Sequence, residues 1–164
     1  MFIPARLKIF TAASVLMLAI GVAPAQELTS QLSLETLAAG QYSLQTAKAN
    51  YVIVSRDQLK ELWERARPLG SPLPEVDFSQ KIVIAVFQGQ TPSGSIRVSV
   101  TQVDKVGKRL GVHVRETLPG RGCPNTPDLG APFHVVAIDR VIGKAWKRTD
   151  FEDEVVFLTC DPLP

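Results

Sequence analysis

The sequence predicts an α+β fold: an antiparallel β-rich sandwich or barrel-like sheet with one packed amphipathic helix. Three observations carry this. Residues 82–87, Ile-Val-Ile-Ala-Val-Phe, form an unbroken apolar run of strand length, the mark of a strand buried on both faces. Two segments read as half-buried strands: Leu110 to Val114 alternates apolar and polar residues, and Ile96 to Val103 nearly does, with Thr101 and Gln102 both falling between Val100 and Val103. Leu59, Leu62, Trp63 and Ala66 fall at helical spacing and give a single apolar stripe.

Taken in order, residues 1–25 read as a signal peptide: Arg6 and Lys8 precede an apolar run from Ile9 to Val22, and Ala23-Pro24-Ala25 is a small-x-small cleavage pattern. An uncleaved anchor helix is the competing reading, but the run falls short of the roughly 20 apolar residues that cross a bilayer. No cysteine adjoins the cleavage point, so lipid attachment there is not expected, and with residues 1–25 removed no membrane span is expected. Removing Arg6 and Lys8 from 18 basic residues leaves 16 against 16 acidic ones, and the formal charge of +2 falls to zero. A neutral mature chain without a basic stripe argues against nucleic acid as a partner.

Residues 26–38 are expected to be a mobile lead-in and residues 39–164 the folded domain, with a weak strand or hairpin around Leu34 to Leu44 turning at Ala39-Gly40-Gln41. Tyr51 to Ser55 is β-branched and strand-like. Ser55 followed by Gln58 makes a capping box for the helix, which Pro68 ends. The Pro-rich stretch 69–79 is irregular, and residues 82–87 form the centre of the sheet. A turn at 89–94 leads into the first alternating strand, and Asp104 to Lys108 is a hairpin turn into the second. Beyond a long loop, Phe133 to Ile138 is a further buried strand. Glu154 to Cys160 is the last, after a turn at Gly143 and a segment whose Trp146 suits an edge strand or a surface anchor. The total is about six or seven strands with short, antiparallel connections.

The long loop, Leu118 to His134, is rich in Gly and Pro, and loops of such length in compact domains usually bind something or hold unusual geometry. It contains Cys123, and Cys160 is the second cysteine of the chain. In an exported, oxidising setting pairing is the default for two cysteines, and Cys123–Cys160 is the one pairing available within the chain.

Catalytic readings are weak by comparison. Cys123 with His134 would be a thiolate–imidazole pair, but nothing in the sequence lowers the thiol pKa, and the compartment oxidises unpaired thiols. His113, Cys123, His134 and Cys160 offer two sulfurs and two imidazoles for zinc, without the usual short paired spacings. Glu152-Asp153-Glu154 reads as a solvated turn rather than an acid–base pair. Gly120 and Gly122 are followed by Cys-Pro, not by the helix start a phosphate loop requires. No catalytic residue, metal or cofactor is assigned.

Trp63, residues 82–87, Gly89 with Thr91-Pro-Ser-Gly94, Arg115 to Cys123 and Ala131 to Ile138 stand in an order that resembles the PrcB C-terminal domain family, from about Ala39 to Arg148. That family occurs in exported bacterial proteins and is named for a lipoprotein subunit that associates with and stabilises a secreted protease complex. The resemblance implies a non-catalytic, periplasmic or secreted protein whose partner is a protease. The turn departs from the family's Pro-Thr-Gly-Gly-Tyr, being Pro92-Ser-Gly-Ser-Ile96 here, and Cys123 is followed by Pro124. More loosely, the Pro-x-Gly turn, the Gly-rich loop and the Pro-aromatic segment are similar to the chagasin-like protease inhibitors, which insert three loops from one end of a sandwich.

The partner surface expected from these readings comprises Thr91, Pro92, Ser93, Gly94, Gly120, Arg121, Gly122, Phe133 and His134, with Arg121 as charged anchor. Phe133, after Pro132, either projects to a partner or plugs the end of the core. The alternative reading is a structural or ligand-binding envelope protein in which the long loop only closes the core.

Overall fold

The computed structural model describes residues 29–66, 72–140 and 148–160. The expected signal peptide, Pro68, Gly143 and Trp146 lie outside the described residues. Among the described residues eight strands and one helix follow the order β1 (Thr29–Gln31), β2 (Leu34–Gly40), β3 (Ala49–Ile53), α1 (Arg56–Ala66), β4 (Lys81–Phe87), β5 (Arg97–Val106), β6 (Arg109–Leu118), β7 (Phe133–Asp139) and β8 (Arg148–Phe157). They form two four-stranded sheets, sheet A in the order β1-β5-β6-β8 and sheet B in the order β2-β7-β4-β3.

The layering follows from the period of the side chains. In β4, Val83, Ala85 and Phe87 point to α1, where they meet Leu59, Leu62, Trp63 and Ala66 together with Phe133, Val135 and Ala137 of β7. Ile82, Ile84 and Val86 point the other way, to a second core with Val136 and Ile138 on the same sheet and Val98, Val100, Val103, Leu110, Val112 and Val114 from sheet A. Sheet B is thus covered on both faces, which is why β4 and β7 are apolar at nearly every position. Sheet A is covered on one face and reads as alternation.

Helix α1 starts as its capping pattern requires. The Gln58 amide donates to Ser55 Oγ at 3.3 Å, and Gln58 Oε1 accepts from the Val54 amide at 3.0 Å, one residue earlier than the usual reciprocal bond. All four stripe residues are buried. At its far end the Ala66 carbonyl accepts from the Leu44 amide at 2.6 Å.

Four features differ from the expectation. Within the lead-in of 26–38, β1 pairs with β5, a three-residue strand too short to stand out, and β2, the weak strand expected from Leu34, begins there and pairs with β7. The predicted second half of the Leu34 to Leu44 hairpin is irregular. The phase slip between Val100 and Val103 is a bulge, where the register with β6 shifts between Val100 and Gln102, returning Val103 to the core. Finally, β8 begins at Arg148 rather than Glu154 and runs parallel to β6, while every other pairing is antiparallel. The chain leaves sheet A after β6 and spends β7 in sheet B. It returns to sheet A beside β6 in the same direction.

The run Glu152-Asp153-Glu154, expected as a turn, is therefore strand. Arg115 Nε lies 2.9 Å from Glu154 and Lys48 Nζ 2.8 Å from Asp153, so two of the run's charges are matched by cations, while the His113 ring nitrogen Nδ1 stands 3.4 Å from Glu152.

Candidate functional site

The ends of β2, β4, β6 and β8 and the starts of β3, β5 and β7 lie at one pole of the sandwich, so residues 41–48, 88–96, 119–132 and 158–160 meet there. The turn 91–96 is fastened to the long loop by a two-way backbone bridge: the Thr91 amide donates to the Gly130 carbonyl at 2.8 Å, and the Gly130 amide donates to the Thr91 carbonyl at 3.0 Å. The Gly94 amide adds a bond to the Thr126 carbonyl at 3.2 Å, and the Thr126 amide donates to Ser95 Oγ at 2.9 Å. Ser93 Oγ donates to Asn125 Oδ1 and accepts from the Ser95 amide. The segment 41–48 joins through the Ala131 amide to the Gln41 carbonyl at 2.8 Å and through Tyr42 Oη to Asp128 at 2.7 Å. That last bond, beside a carboxylate, raises the Tyr42 phenol above its usual pKa.

Residues 120–123 form a tight turn closed by the Cys123 amide on the Gly120 carbonyl at 3.1 Å. Two glycines make it possible for different reasons. A Cβ on Gly120 would stand 1.9 Å from the Leu158 carbonyl oxygen, whereas Gly122 has open space around it but φ of 81°. Arg121 is exposed between them. Cys123 is bonded to Cys160, Cα–Cα 5.1 Å, tying the loop to the end of β8 across 37 residues. A closed loop of that length stabilises the fold by about 4 kcal/mol in the chain-entropy picture.

The residues singled out from sequence divide into two groups. Pro92, Arg121 and Gly122 are exposed, and Gly94 and Gly120 half-buried. Thr91, Ser93, Phe133 and His134 are buried and act as scaffold. Phe133 is 1 % exposed and stacks on Phe87 with centroids 6.0 Å apart, so it plugs the core and presents nothing to a partner. His134 lies between the sheets, where Nδ1 accepts from the Val100 amide at 2.9 Å and Nε2 faces Thr36 Oγ1 at 3.1 Å. Burial pushes its pKa below the usual histidine value.

The chemical alternatives come apart in the same geometry. Cys123 is a disulfide cysteine and His134 is engaged elsewhere, so no thiolate–imidazole pair is formed. Of the four zinc candidates, the cysteines are bonded to each other and His113 sits on the outer face of sheet A, with Nε2 3.0 Å from Asp104. The groove lined by Tyr42, Thr46, Gln90, Leu129 and Ala131 has a volume of about 120 Å³, well below the roughly 300 Å³ at which ligand pockets begin.

Sequence reasoning missed the apolar part of the pole. Tyr42, Leu44, Leu129, Val155, Phe157 and Leu158 are all exposed, Phe157 to 65 % and Leu129 to 64 %. The signal was present for Val155 to Leu158, an apolar run two residues before a cysteine, but such a run reads as a core strand. For Leu129, lodged between Asp128 and Gly130, the loop setting was the available clue.

No curated protein and no solved structure matches the chain. The likeness to chagasin-like inhibitors rests on the loop motifs alone. The family whose model does match is PrcB C-terminal, over residues 82–139, so the stretch from β4 through β7, including the 88–96 turn and the long loop, is similar to that domain.

Proposed function

We propose that this protein is an exported, non-catalytic protein-binding module that associates with a protease complex and stabilises or inhibits it through the loop pole. The observation that carries the reading is the fastening of the pole: two loops and a β2–β3 connection, held by a backbone bridge, side-chain bonds and a disulfide, surround exposed Arg121, Leu129, Phe157 and Leu158. Preorganised loops lose less entropy on docking, and an arginine amid exposed apolar side chains has the composition of an interface centre. The PrcB-like match supports a protease complex as the setting. The disulfide supports an oxidising compartment.

Affinity capture with crosslinking from the native envelope tests this. Arg121→Ala and Phe157→Ser should each weaken recovery of a protease-containing complex about tenfold, which corresponds to one interface contact of about 1.4 kcal/mol, with the melting temperature unchanged. Equal recovery with both variants overturns the pole as the contact surface.

The second reading, an envelope protein whose loop merely closes the core, is favoured by the burial of Gly130 to His134. It predicts that loop substitutions move thermal stability and leave capture untouched.

A further inference from the structure

Each sheet edge must be shielded from pairing with another chain, and the four edges here are not treated alike. Strand β1 has three residues, β3 has five, and β2 is bulged between Thr36 and Ala38. All three are common ways of blunting an edge. Strand β8 has ten residues, contains no proline, and keeps an unbroken register with β6 from Arg148 to Phe157. Among the described residues no strand pairs with its outer side.

The side chains along this edge are sorted by face. Asp150, Glu152 and Glu154 share the outer face of sheet A, beside Gly111, His113 and Arg115 of β6, whereas Phe151, Val155 and Phe157 share the face turned to the sandwich with Asp153, whose carboxylate is taken up by Lys48 at 2.8 Å. Glu152 and Glu154 keep roughly three-fifths of their side-chain surface exposed despite their neighbours on β6, and a carboxylate accepts several bonds at once. A second copy of this chain is a poor occupant: antiparallel pairing on a two-fold near the strand centre sets Glu152 against Glu152 or Asp153 against Asp153, and parallel pairing in register sets each acid against itself. Like charges directly opposite destabilise a ladder.

We infer that β8 is a strand-addition edge for an extended, basic segment of a partner protein, one that alternates Lys or Arg with aliphatic residues. The basic side chains lie on the outer face beside Asp150, Glu152 and Glu154, and the aliphatic ones beside Phe151, Val155 and Phe157. Main-chain bonds supply affinity and alternate side chains supply selection. The inference rests on the protein-binding reading above and adds a second contact to the pole, which β8 reaches at Phe157.

The test uses the full mature protein and a peptide of about ten residues alternating Lys and Val, with binding followed by fluorescence anisotropy and amide exchange. The peptide should protect β8 amides specifically. N-methylation along one peptide edge, replacement of Lys by Glu, and the double variant E152Q/E154Q should each weaken binding about tenfold or more. No binding of the Lys–Val peptide, binding without protection of β8, or equal binding of the N-methylated peptide overturns the inference. Capture of the native complex by the same wild-type protein, lost or kept on Arg121→Ala, reports separately on the protein-binding reading.

Discussion

Sheet B and sheet A are each four strands wide, yet they are held by different forces. In sheet B, β4 and β7 are buried on both sides, and their side chains feed two cores at once. In sheet A one face is polar, and its outermost strand, β8, is held by a parallel ladder, exposed ion pairs and a disulfide, with Phe151 packing partly on the core. Burial of apolar area is worth roughly 25 cal/mol per Å², whereas an exposed ion pair contributes about 0–1 kcal/mol. The doubly covered sheet is therefore the stability element, and the singly covered one is where surface remains for contact.

This contrast breaks most sharply at Phe133. Phe133→Ala removes a fully buried ring stacked on Phe87 and should cost about 3–5 kcal/mol by chemical denaturation; a loss below about 1 kcal/mol would mean that the core between β7 and α1 is not closed there. Cys160→Ser should cost somewhat less, up to about 4 kcal/mol. Its amide-exchange pattern is more telling, with β8 losing protection while β4 and β7 keep theirs. Uniform loss would put β8 in the same cooperative unit as sheet B.

Acid sharpens the contrast further, because the titrating group His134 sits between the sheets. Its folded pKa is depressed by burial, so the unfolded chain binds a proton near pH 6.5 before the folded one does. Stability is full above about pH 6.5 and falls as pH drops from there toward the folded pKa. His134→Gln should flatten the melting temperature across that window; an unchanged slope would assign the acid sensitivity elsewhere. The smallest effect is expected at the surface, where Glu154→Gln should cost about 0.5 kcal/mol or less and lose even that in high salt.

How much of this was legible in the sequence follows the same division. The runs of β4 and β7 were plain because double burial leaves no polar position, and α1 was plain because its cap and stripe agree. The bulge in β5 was written as a slipped alternation. β8 was shortened at its start because an edge strand lined with acids is as polar as a turn; only the cations of β6 and Lys48, distant in sequence, distinguish the two. In the pole, Gly and Pro marked the loops but not which side chains turn inward. Phe133 and His134 were therefore counted as surface candidates, while Phe157, hidden in an apolar run, was not.

The return of the chain to sheet A after a detour through sheet B has a consequence for biogenesis. Residues emerge from the ribosome or a translocation channel N-terminus first, and domains fold as that order allows. Cys123 emerges while Cys160, 37 residues later, is still to come. During that interval the thiol has no mate of its own, and whatever oxidant or neighbouring nascent chain it meets first competes with the correct bond.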